Sequence, residues 1–109
     1  MNVITKQPRE TIGIKLNFSE AFKRQGDAIS QVVLTLKTLP DNTLVDPLDP
    51  EKVKIISQID TSDRVYVNLA ISGGSDGDRY SLSVVAGNGL PGALLRDYEM
   101  DFVIIIKDR

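Results

Sequence analysis

The chain reads as an all-β antiparallel sandwich of about seven strands. Apolar and polar residues alternate along one segment after another, turn chemistry separates those segments at short intervals, and no stretch beyond a single turn carries a helical period. At 109 residues there is room for one core, so residues 1–109 are read as a single domain.

A short strand at 2–5 opens the series. The next runs through Ile12, Ile14, Leu16 and Phe18, with Gly13, Lys15 and Asn17 on its other face. Ser19 is placed to cap one helical turn over Glu20 to Arg24, and Gly26-Asp27 leads into a third strand with Val32, Leu34 and Leu36 on one side. Residues 39–52 are expected to be an acidic loop, since Pro40, Pro47 and Pro50 with Asp41, Asp46, Asp49 and Glu51 oppose regular structure. A strand at 53–60 follows, and Asp60-Thr61-Ser62-Asp63 reads as a hairpin tip. Val65, Val67, Leu69 and Ile71 make the next strand, and Tyr80, Leu82 and Val84 the one after it. Tyr98, Met100, Phe102, Ile104 and Ile106 form the last ladder.

Composition narrows function. The 13 basic and 15 acidic residues are too balanced for a protein that grips duplex nucleic acid through a basic face. The modest positive excess of residues 1–26 is read as solvated surface. With no cysteine and no histidine, a disulfide, a thiol nucleophile and a Ser-His pair are all excluded. Gly73-Gly74-Ser75-Asp76-Gly77 lacks the lysine of a phosphate loop and sits between strands. Asp76 with Asp78, and Asp60 with Asp63, match no calcium-loop spacing and are read as turn acids. No cofactor or metal is expected, and the chain is not expected to be an enzyme. The opening Met1–Lys6 lacks the charged-then-apolar pattern of a leader. The run Phe102–Ile106 is too short to cross a bilayer, so a soluble chain with no membrane partner is expected.

One motif narrows the fold. Asp76-Gly77-Asp78-Arg79-Tyr80-Ser81-Leu82-Ser83-Val84 resembles the corner before the sixth strand of immunoglobulin-like domains, where a tyrosine hydroxyl turns back to a backbone group a few residues upstream. An ordinary hairpin with a packed tyrosine is the competing reading. The expected architecture is therefore an immunoglobulin-like antiparallel β-sandwich, without the disulfide and core tryptophan of antibody domains.

A wider resemblance covers nearly the whole chain through short motifs. Lys6-Gln7-Pro8-Arg9-Glu10-Thr11-Ile12, Asn17-Phe18-Ser19 and Gly26-Asp27-Ala28-Ile29-Ser30 form its first half. The Gly73-Gly74 turn with Tyr80 and the closing Phe102–Lys107 strand form its second. Together they resemble small tailed-phage virion proteins known as fiber-tail adaptors. That resemblance implies a non-enzymatic bacteriophage structural protein, made in the host bacterial cytoplasm and built into the virion. It would attach fibers to a tail, in several copies within a symmetric assembly, with other virion proteins of tail, neck, fiber or capsid as partners. A capsid decoration or head-tail completion protein is the alternative within that class. A carbohydrate-binding module is the alternative outside it, although Tyr66 is the only aromatic expected on the wet side of a strand.

Two candidate contact surfaces follow from the residues. The loop 87–97 carries Leu90, Leu94 and Leu95 among Gly87, Gly89, Pro91 and Gly92, and is expected either to meet a neighbour or to fold back and plug one end of the sandwich. In the last strand, Phe102, Ile104 and Ile106 are expected in the core. Val103 and Ile105 then face the other way, covered by a partner or by another segment of the chain.

Overall fold

The alternating segments become two facing sheets in a computed structural model, which describes residues 2–22 and 26–108. Strands β1 (Asn2–Lys6), β3 (Gln31–Thr38), β4 (Thr43–Leu44), β7 (Arg79–Gly87) and β8 (Asp97–Ile106) form one sheet in the order β1-β8-β7-β3-β4. Strands β2 (Ile12–Asn17), β5 (Lys54–Ile59) and β6 (Tyr66–Ser72) form the other in the order β2-β6-β5. A β2-β6-β5 sheet facing β8-β7-β3 is the immunoglobulin strand order.

Alternation sends one row of each strand inward. Leu16, Val67, Leu69 and Ile71 from the smaller sheet meet Tyr80, Leu82, Val84, Phe102, Ile104 and Ile106 from the larger. An aromatic cluster closes one end. Phe18 and Phe22 lie edge to face at 6.3 Å, and Phe22 meets Tyr98 in the same way at 5.2 Å, with Ile29 fully buried nearby.

Four expectations need correction. The sandwich is not wholly antiparallel, because β1 pairs with β8 in parallel, Asn2 opposite Phe102 through Lys6 opposite Ile106. This edge strand returns from the other end of the chain, so no hairpin constrains its direction. Residues 39–52 contain the two-residue strand β4, held where Asp41 accepts from the hydroxyls of Thr38 (2.6 Å) and Thr43 (2.8 Å). The helical turn α1 spans Ser19–Phe22, and the side chain of Asn17, not that of Ser19, serves its start by accepting from the Ser19 N–H at 2.8 Å. The expected last residue of that turn, Arg24, lies outside the described residues.

The fourth correction concerns Tyr80. It is buried as expected, but its hydroxyl does not bond to a nearby upstream backbone group. The hydroxyl donates to the Asp78 carboxylate at 2.8 Å and accepts from the Val53 N–H at 3.2 Å. Asp78 also accepts from the Ser75 N–H at 3.0 Å, so a single carboxylate holds both the turn and the tyrosine. Burial is the main force pushing the Tyr80 pKa up to about 12, with the adjacent Asp78 acting in the same direction.

The hairpin tip at 60–63 is organised by Asp60, which accepts from the N–H and hydroxyl of Ser62 at 2.9 and 2.8 Å and pairs with Lys15 at 3.3 Å. The Ser62 hydroxyl is the foremost of the donors that hold its carboxyl well below the usual carboxylate range. At the opposite edge Lys6 is buried, and its ammonium donates to the carbonyls of Gln7 (2.6 Å) and Pro8 (3.4 Å). Burial lowers its pKa. No helix among the described residues is long and apolar enough to cross a membrane.

Candidate protein-binding surface

The β7–β8 connection is built around one side chain. Asn88 follows the last residue of β7 and is itself buried. Its amide nitrogen donates to the Leu94 carbonyl at 2.8 Å and to Asp27 at 3.3 Å. Its amide oxygen accepts from the N–H groups of Leu90 (3.2 Å) and Arg96 (3.0 Å). The Asn88 N–H still meets the Arg96 carbonyl at 3.0 Å, and a side chain with two donors and acceptor capacity to spare extends that cross-strand link where the strands part.

The flanking backbone follows from that arrangement. Gly89 lies at φ 70°, and a Cβ there would collide with the Ser30 hydroxyl. Gly92 at φ 61° begins a single 3-10 turn, Gly92–Leu94, after which the Leu95 N–H returns to the Gly92 carbonyl. The Arg96 guanidinium donates to the carbonyls of Ala93 and Leu95 at 3.2 and 3.0 Å. The loop's polar groups therefore point inward or bond to one another, and its leucines point out.

Leu90, Leu94 and Leu95 keep 41%, 62% and 45% of their surface in water. They do not plug the sandwich, because the Phe18–Phe22–Tyr98 cluster already fills that end. Covering what remains exposed would contribute about 2–4 kcal/mol before association costs, less than three free leucines would. The loop stands beside the segment before β3, where the Ser30 N–H meets the Gly87 carbonyl at 2.8 Å and Asn88 reaches Asp27. The β5–β6 turn is tied to the same end, with the Ile29 N–H on the Arg64 carbonyl at 2.7 Å. Three connections therefore share one end of the molecule.

Val103 and Ile105 are half-buried on the outer face of the larger sheet. Val103 lies between Val3 and Ser81, and Ile105 between Thr5 and Arg79. Strand β1 gives Val103 a partly exposed apolar neighbour without roofing it over. The five expected contact residues do not form one surface. Val103 lies six residues beyond the start of β8, which places it about 20 Å along the strand from the loop. Leu90, Leu94 and Leu95 cluster, and Val103 with Ile105 is a separate patch.

Sequence reasoning singled out the leucines but missed Asn88, whose signal is a carboxamide between two glycines, Gly87-Asn88-Gly89. Tyr66 is half-buried, and the Lys15 ammonium sits over its ring at 4.4 Å, on a face a sugar would need for stacking. No cluster of metal-ligating side chains occurs among the described residues. Comparison with family models, curated proteins and solved structures yields no match to this chain.

Proposed function

We propose that this chain is a non-enzymatic virion structural protein of a bacteriophage, an adaptor that joins fibers to a tail. The observation that carries the binding role is the β7–β8 loop, whose polar groups are satisfied by Asn88 and Arg96 while Leu90, Leu94 and Leu95 face water. An apolar loop already held in shape loses little conformational freedom on docking, which favours a partner's apolar recess. The phage setting rests on the whole-chain resemblance carried by the Lys6–Ile12, Gly26–Ser30, Gly73–Tyr80 and Phe102–Lys107 segments.

The test replaces Leu90, Leu94 and Leu95 together with serine and measures both melting temperature and incorporation into particles. Because these side chains lie outside the buried core, the triple variant is expected to melt close to the parent and to be lost from particles. Full incorporation of the variant, or absence of the unaltered chain from purified virions, would overturn the reading.

A further inference from the structure

The smaller sheet ends at β5, and that edge is open. Asp60 N–H bonds to the Tyr66 carbonyl, in register with the Lys54–Ser72 to Ile59–Val67 ladder. Backbone groups alternate sides along a strand, so Lys54, Ile56 and Gln58 direct theirs to β6, and Ile55, Ser57 and Ile59 direct theirs outward. Among the described residues these outward groups have no backbone partner. Beside them runs an apolar groove of about 510 Å³, lined by Leu34, Leu36, Leu44, Val45, Val53 and Ile55. It exists because the larger sheet carries β3 and β4 beyond the reach of the smaller one.

Natural edge strands are usually guarded by charges, prolines or bulges. Here β5 carries one charge, Lys54 at its first residue, and Ile55-Ile56-Ser57-Gln58-Ile59 has no charged residue and no proline, whereas β2, at the other edge of the same sheet, carries Lys15 near its centre. On the outer face Ile56 is 71% exposed, because the side chains beside it in its cross-strand row are only Ala70 and Gly13.

We propose that β5 is a homodimer interface, in which two copies pair their β5 strands antiparallel about a two-fold axis at Ile56. In this register Ile55 and Ser57 of one copy exchange backbone hydrogen bonds with Ser57 and Ile55 of the other. Ile56 meets its own copy in a non-hydrogen-bonded pair, the type that brings side chains closest. Charges agree with the pairing. Lys54 falls opposite neutral Gln58, and no like charges are opposed along the strand. The two small sheets become one six-stranded sheet, and each incoming β5 lies along the mouth of the other copy's groove. A second copy fits this edge because the strand is complementary to itself under the two-fold operation, as an isologous interface requires. This inference does not depend on the phage reading.

Sedimentation across the micromolar to millimolar range tests it, together with amide hydrogen exchange. The unaltered chain is expected to dimerise, with the amides of Ile55, Ser57 and Ile59 gaining protection as concentration rises. Ile56→Lys sets two ammonium groups against each other at the axis and is expected to weaken the dimer roughly tenfold or more. Ser57→Pro removes an outward N–H and no bond to β6, so it is expected to give a folded monomer. Retained far-ultraviolet dichroism in Ile56→Lys separates loss of the dimer from loss of the fold. A chain that stays monomeric throughout overturns the proposal and leaves the edge to a strand of another protein. A dimer that neither substitution weakens overturns it as well.

Discussion

Tyr80 shows how one side chain ties the sandwich together. Its ring lies in the core, while its hydroxyl links Asp78, before β7, to the Val53 N–H, just before β5. Tyr80→Phe removes both bonds at once and leaves the Val53 N–H without its acceptor. A loss of about 1–3 kcal/mol is expected in chemical denaturation. An unchanged midpoint would show that water replaces the hydroxyl. The raised pKa has a direction in pH. A phenol that ionises near 10 when unfolded but at about 12 when folded favours the folded state fully below pH 10, and that contribution is lost as pH rises towards 12. Stability of the unaltered chain should therefore fall through this alkaline window, and the Tyr80→Phe variant should show a shallower fall. The burial of Tyr80 was legible in the sequence from alternation. Its partners were not, because Val53 is 27 residues away and only folding brings its N–H to the hydroxyl.

At the scale of elements, the β7–β8 loop takes a shape that depends on Asn88. Asn88→Ala leaves the Leu94 carbonyl and the N–H groups of Leu90 and Arg96 without their side-chain partner. The expected cost is about 1–3 kcal/mol, with faster amide exchange confined to residues 88–96. Asn88→Asp should also disturb the loop, since a carboxylate cannot donate to the Leu94 carbonyl and would face Asp27. Unchanged exchange in both variants would mean that the glycines alone shape the loop. Three leucines in a turn-rich segment were legible as a candidate surface. Whether they pointed into or out of the sandwich was not, because that depends on Phe18, Phe22 and Tyr98 already occupying the end.

For the whole molecule, the two ends of the chain meet in one edge. Strand β1 pairs along β8, buries Ile4 and Lys6, and receives the Lys107 N–H on the Lys6 carbonyl at 2.9 Å. Deleting residues 1–6 would bare the β8 edge beside Val103 and Ile105. A loss of about 3 kcal/mol or more is expected from Ile4 and the parallel ladder together, with concentration-dependent aggregation on warming. Thermal scans with light scattering check this, and a truncated chain that melts like the parent would make β1 an accessory. The same deletion leaves β5 untouched, so any self-association through that edge should survive it.

Local pattern alone decided that this chain is a β-sandwich. Alternation along Ile12–Phe18, Val65–Ile71 and Tyr98–Ile106 assigns each side chain to a face before any partner strand is known, because strand geometry repeats every two residues. The absence of histidine and cysteine set chemical limits in the same local way. What only the tertiary structure decided involves groups distant in sequence. The parallel direction of β1, the Asp78–Tyr80–Val53 link, the outward aim of Leu90, Leu94 and Leu95, and the open edge of β5 each depend on which element arrives beside which. Periodicity records the environment a residue needs, and it carries no information about which distant group supplies it.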